Sequence, residues 1–174
     1  GAGGSIHRFI QEGKEVHYVA FSTAEESVPE GYPTNILTEE VKRATSVLGI
    51  AANNLHIFNY QVRKLNYVRQ EVLENLIQLK NTIKPDLVLM PSLHDIHQDH
   101  YTVAQEGLRA FKDTSLLGYE LLWNNLSFDT TCFISLSKEN VRAKFEALQQ
   151  YESQSFRDYM KEEFIFGQAV TRGV

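Results

Sequence analysis

Leu87-Val88-Leu89-Met90, followed by Pro91-Ser92-Leu93-His94-Asp95-Ile96-His97-Gln98-Asp99-His100, is the stretch on which the fold turns. Four consecutive apolar residues bounded by polar ones read as a short strand covered on both faces, the usual state of a parallel strand. Upstream, Val68 to Ile83 carries Val72, Leu76 and Leu79 at helical spacing and ends at Lys84-Pro85, so a helix leads into the strand. Downstream, Ala104, Gly107 or Leu108, and Phe111 mark the inward stripe of a second helix over Thr102 to Phe111. Helix, buried strand, polar loop and helix in succession are the grammar of an α/β layer structure.

The same alternation runs outward in both directions. A short helix over about 4–12 is stopped by Gly13, and Val16 to Phe21 is a second buried strand. Ser22 to Pro33 is a loop; Thr38 opens a helix closed by Gly49; Leu55 to Phe58 is a strand. Beyond the central stretch, Leu116 to Trp123 and Thr131 to Leu136 read as strands. Ser137 sits where an N-cap belongs, ahead of Val141, Phe145 and Leu148, and a last helix is expected from about Ser155 to Val170. The expected fold is a single Rossmann-like domain over 1–174, three layers around a mostly parallel sheet.

Composition narrows the function classes. The 174 residues carry 17 Lys+Arg against 22 Asp+Glu, a formal charge of −5 with no basic run, a poor footprint for nucleic acid or anionic lipid. Cys132 is the single cysteine, so neither an intrachain disulfide nor a thiolate zinc site can be built from this chain, and a reducing cytoplasm is the expected setting. No run approaches the ~18 apolar residues of a spanning helix. Rossmann-like sheets often associate, but no surface stripe here names a homo-oligomer interface.

Ligands of open α/β sheets sit outside the carboxyl ends of strands, which points at the loop after Met90. Three of the chain's six histidines, His94, His97 and His100, fall there or at its border. One helical turn back from Ala104 lies His100, so its ring is expected to face inward from the helix's first turn. His97 should approach the same pocket, with Asp95 and Asp99 near enough to orient the imidazoles. The competing reading is a polar loop whose aspartates cap the helix and whose histidines are solvated. Zinc takes imidazole and carboxylate ligands, but two histidines do not complete a site.

These residues resemble the LmbE-like, or PIG-L-type, zinc-dependent de-N-acetylases, which remove acetyl groups from N-acetylglucosamine-type sugars, and the resemblance spans nearly the whole chain. Asp95-Ile96-His97-Gln98-Asp99-His100 is similar to the family's Asp-x-His-Pro-Asp-His, with Gln98 in place of proline. Gly1-Ala2-Gly3-Gly4 fits the Gly-x-Gly-Gly that follows the family's first motif, His-Pro-Asp-Asp-Glu, and Lys14-Glu15-Val16 with Phe21-Ser22-Thr23 fits the next strand. That first motif, source of the general base and two of three zinc ligands in the family, is absent from this sequence. So is the family's closing segment near an Ala-Glu-x-Phe stretch. The resemblance therefore implies the interior of a longer enzyme, itself inactive and a poor binder of zinc.

Carried over by residue, the resemblance makes His100 a metal ligand, His97 the group that polarises or protonates the reacting amide, and Asp99 its orienting carboxylate, with Asp95 in support. Glu25 and Glu26 match a loop that carries a glutamate near the sugar. Trp123 and Asn124 offer a stacking face and an amide donor for a sugar. Where many members have an arginine near the start of the second helix this chain has Leu37, and no sugar contact follows there. His7, His17 and His56 fall within predicted elements and read as packing or surface residues. The implied activity is zinc-dependent N-deacetylation of an N-acetylated sugar or glycoconjugate. Two other readings stand beside it: a non-catalytic sugar- or nucleotide-binding module with Gly1 to Gly4 as a phosphate loop, and a metal-dependent phosphoesterase.

Overall fold

The computed structural model describes residues 1–173. In chain order its regular elements are α1 (Gly3–Gln11), β1 (Tyr18–Ala20), α2 (Ile36–Val47), β2 (Leu55–Ile57), α3 (Arg69–Ile83), β3 (Leu87–Pro91), α4 (Gln98–Ala110), β4 (Ser115–Tyr119), α5 (Lys138–Gln149) and α6 (Glu162–Arg172). The alternation expected from sequence is present, and both strand pairs, β1 with β2 and β3 with β4, are parallel. Packing divides the described residues into two compact units, one of Tyr60–Cys132 with Gly1, the other of Ala2–Asn59 with 133–173.

In the first unit, β3 and β4 pair in register from Leu87 with Ser115 to Pro91 with Tyr119. α3 and α4 pack together, burying Val72, Leu73 and Leu76 of α3 and Ala104 and Ala110 of α4. Glu106, on α4, is fully buried between two arginines: Arg69 approaches through Nε at 2.7 Å and Nη2 at 2.5 Å, and Arg109 through Nη1 at 2.6 Å. This pairing fixes the α4 rod whose other end carries His100.

In the second unit, α5 packs against both α1 and α2, and β1 pairs with β2. Ala44, Leu48, Ile50 and Ala147 form its buried centre, with Ile6, Ile10, Val16 and Tyr18 packed against it. Gly4 lets α1 approach α5 closely, since a Cβ there would lie 2.8 Å from Leu136 Cδ1 and 3.3 Å from the Asn140 carbonyl oxygen. Ser137 caps α5 through a reciprocal exchange with Asn140, as its position in the sequence suggests.

Several boundaries move. Thr131 to Leu136 is not a strand: it has no partner strand among the described residues, and Phe133 is 69% exposed. β4 stops at Tyr119 because the Asn125 side chain accepts from the Leu121 amide and closes a turn over 121–125. The last helix begins at Glu162 rather than Ser155, after two 3-10 turns, Glu152–Gln154 and Asp158–Met160. α4 begins four residues before Thr102, because His97 caps it.

His17 and His56 are paired across the β1/β2 edge. His17 Nδ1 and His56 Nε2 lie 3.0 Å apart, with ring planes within 19° and His17 Nε2 3.4 Å from Glu15. One ring must donate and the other accept, so both cannot be protonated. Burial, and then the neighbouring His17, push the His56 pKa below its usual value. A depressed histidine pKa means that the unfolded chain binds the proton more readily. The stabilisation is therefore present above the unfolded pKa of about 6.5 and is lost as pH falls through it. Urea midpoints should fall below about pH 6.5, and His56→Gln should flatten part of that decline; parallel pH profiles for the two proteins would show the pair to be inert.

Candidate active site

The loop after β3 folds back on itself through Asp95, which is 3% exposed. One carboxylate oxygen accepts from the His97 amide at 2.8 Å, and the other meets His100 Nδ1 at 2.9 Å. A carboxylate there fixes the proton on Nδ1 of His100 and leaves Nε2 as its basic nitrogen. The imidazoles of His97 and His100 stack, with centroids 4.5 Å apart.

His97 is the N-cap of α4. Its Nδ1 accepts from the Asp99 amide at 3.2 Å, satisfying one of the donors that a helix start leaves open. Nδ1 therefore carries a lone pair, and the proton of the neutral ring is on Nε2. Burial and the adjacent His100 lower the His97 pKa, outweighing Asp99 and Asp95, which raise it; Arg63 lowers it further. At neutral pH the ring is an uncharged Nε2–H donor.

Asp99 is 7% exposed, and its carboxylate turns to backbone rather than to an imidazole. It accepts from Arg63 N at 2.5 Å and from Leu65 N at 3.2 Å. Arg63 has φ +66°, a conformation that costs a non-glycine residue roughly 1–2 kcal/mol. The two amide bonds to Asp99 hold the segment in that turn, which buries Leu65 to 2% exposure. Neither Arg63 nor Leu65 carries a motif that sequence reading could have used.

The segment after β4 joins the same loop. Asp95 and Asn125 form an antiparallel bridge, and Ile96 N donates to the Asn124 carbonyl at 3.0 Å. The Asn124 side chain lies 3.2 Å from His100 Nδ1, so this amide packs on the imidazole. Trp123 is 70% exposed beside it. Asp95, His97, Asp99, His100 and Asn124 are thus brought together within one unit. Glu25 is exposed, at the start of a 3-10 turn (Glu25–Ser27) in the other unit.

The donor set meets only part of what zinc requires. His100, held through Nδ1 by a buried carboxylate, has the orientation of a ligating imidazole. Among the described residues, however, no group of three His, Cys, Asp or Glu converges to hold a metal ion. One oriented imidazole does not make a zinc site, which takes three or four protein ligands. Where the remaining metal ligands are supplied, Asp95→Ala should release His100 and reduce activity about 10- to 100-fold, with Asp95→Asn intermediate, in a turnover assay on folded protein.

Solved structures with this architecture include several deacetylases. The chain is similar to the zinc-inhibited form of teicoplanin deacetylase Orf2 (TM-score 0.80, 14% identity, 98% of this chain and 85% of that one). It is also similar to N,N'-diacetylchitobiose deacetylase from Pyrococcus horikoshii (TM-score 0.77, 22% identity, 99% and 73%). The conserved protein TT1542 from Thermus thermophilus is a further likeness (TM-score 0.74, 20% identity, 99% and 80%). At such identities the likeness is one of fold, and the fold is that of the LmbE-like deacetylases. Residues 1–111 match the GlcNAc-PI de-N-acetylase family, PIG-L, and the chain belongs to that family of amide hydrolases. Among the described residues no helix is long and apolar enough to cross a membrane.

Proposed function

We propose that this chain carries the second catalytic motif of a zinc-dependent hydrolase that removes the acetyl group from an N-acetylglucosamine-type sugar or glycoconjugate. The observation that carries the reading is a pair of stacked imidazoles with different Nδ1 partners: His97 Nδ1 accepts from the Asp99 amide, whereas His100 Nδ1 meets the carboxylate of Asp95, which also accepts from the His97 backbone amide.

Amide hydrolysis needs a donor aimed at the oxygen that becomes negative as the carbonyl turns tetrahedral. We assign that role to His97 Nε2–H. Its neutrality at pH 7, and the α4 cap that fixes its tautomer, support the assignment. His100 is assigned to zinc, which supplies Lewis acidity and an activated water when bound. A complete site needs further donors of the kind the His-Pro-Asp-Asp-Glu motif provides in the family. Asp99 acts through the backbone, holding the 63–65 turn beside the first turn of α4, and Asn124 acts on His100.

Release of free amine from an N-acetylglucosamine conjugate by the full-length protein, abolished by chelator and restored by zinc, is the expected result. Phosphate release from phosphoesters with no amine formed would overturn it in favour of a phosphoesterase.

A further inference from the structure

The first unit holds a cavity of about 430 Å³ lined by Tyr60, Gln61, Lys64, Tyr67 and Val68. All five come from the segment that precedes α3, and the hydrolase reading uses none of their side chains. Backbone turns lock this lining. Lys64 N donates to the Gln61 carbonyl at 3.2 Å, Tyr67 N to the Lys64 carbonyl at 3.0 Å and Val68 N to the Leu65 carbonyl at 3.1 Å. Within the same stretch lie the two amides that Asp99 anchors, Arg63 N and Leu65 N. The Tyr60 hydroxyl accepts from Asn75 Nδ2 on α3, which fixes that ring. A cavity built on segments held in this way loses little further freedom when a ligand arrives.

The lining chemistry narrows the ligand. Tyr67 is 79% exposed. Among the described residues, the side chains of Gln61, Lys64 and Tyr67 have no hydrogen-bond or ion-pair partner. From Tyr60 to Gln70 the chain carries Arg63, Lys64 and Arg69 and no carboxylate, within a protein of net charge −5. Arg69 is committed to Glu106, so Lys64 is the cation that lines the space. Burial and then the Glu71 charge raise the Tyr60 pKa, against the Asn75 bond, which lowers it. The cavity is thus negative toward Tyr60 and positive toward Lys64.

Phenol rings hold a planar ligand by stacking, an ammonium holds an anion, and an amide that both donates and accepts suits the edge of a heterocycle. The volume lies within the roughly 300–1,000 Å³ of small-molecule sites. A simple aromatic acid would engage the rings and the ammonium, but it would leave the Gln61 amide unused and much of the space empty. A nucleoside phosphate presents a base face, a base edge and an anion together.

We propose that this cavity binds a single nucleoside phosphate, its base on the Tyr60 and Tyr67 rings with one edge toward the Gln61 amide, and its phosphate at the Lys64 ammonium. The site shares the 63–65 turn with Asp99, so an occupied cavity stiffens the turn that stands beside the start of α4.

The test is titration of the full chain with uridine monophosphate and adenosine monophosphate, followed by calorimetry and by NMR shifts, with uridine, inorganic phosphate and benzoate as separate arms. Both monophosphates should bind saturably, at least about tenfold more tightly than uridine or phosphate alone, because each supplies one half of a linked pair of contacts. Tyr67→Ala, at an exposed position, should weaken nucleotide and nucleoside alike by about 5- to 100-fold, the effect of deleting a stacking ring. Lys64→Met, also exposed, should weaken only the nucleotide, by about 3- to 10-fold, and remove most of the salt dependence of its binding. No saturable binding, or affinity indifferent to both substitutions, would overturn the proposal. Inorganic phosphate binding as tightly as the nucleotides would reduce the site to an anion site and overturn it too, and benzoate binding as tightly would do the same in favour of an aromatic acid.

Discussion

His97→Ala is expected to lower amine release about 10²- to 10³-fold, the effect of deleting one oxyanion donor, while costing only about 1 kcal/mol of stability. The second figure is that of losing a helix N-cap, because Nδ1 of this ring takes the Asp99 amide. The contrast separates the two roles. A merely structural histidine would show the stability loss with turnover per folded molecule unchanged. His97→Asn should restore much of the cap, since asparagine is a strong N-cap, but not the rate. The pH dependence has a defined sign: protonation of Nδ1 destroys the acceptor that caps α4 and charges the donor. Because the pKa is lowered from its usual value, the active form persists through neutrality and is lost only on acidification. A rate that rises as pH drops through that range would contradict the assignment.

The largest stability effect is expected at Glu106. This carboxylate is wholly buried, whereas the side chains of Arg69 and Arg109 are 47% and 57% exposed. The asymmetry decides which partner matters. Removing the glutamate frees two arginines that can turn to water, whereas removing the arginines strands a buried anion. Arg69→Met/Arg109→Met should therefore cost about 3–5 kcal/mol, the range for breaking a buried pair from one side. Arg69→Met alone should cost less, because Arg109 still holds the other oxygen. Glu106→Leu in the double-Met background should recover most of the loss, since an apolar trio of similar volume carries no desolvation cost. Urea denaturation of the four proteins measures this; a double-Met variant as stable as the wild type would show that the buried carboxylate does not depend on the two arginines.

The elements most legible in the sequence are those fixed by local chemistry. Gly13 and Gly49 take φ of +77° and +88° just past α1 and α2, where only glycine is comfortable. Ser137 caps α5, and the Leu87 to Met90 run is a parallel strand. Long-range choices are not legible. Thr131 to Leu136 has strand-forming residues but no neighbour to pair with among the described residues, and strand propensity is largely a statement about neighbours. The start of α4 is hidden because the capping group is an imidazole, outside the Ser/Thr/Asp/Asn set that marks helix starts. The division of labour between the two aspartates is equally hidden: the same residue type four positions apart faces an imidazole at Asp95 and two loop amides at Asp99, and nothing in the spacing says which.

Asp95 spends one oxygen on the backbone of His97 and the other on the ring of His100. Through that fork, electrophile and metal-side imidazole share a single mechanical anchor. Any substitution that retunes one histidine by shifting this carboxylate displaces the other with it. Variants of such an enzyme with altered acid strength but unaltered cation affinity should therefore arise from changes around the rings, at Asn124 or in the 63–65 turn, and not from the aspartate itself.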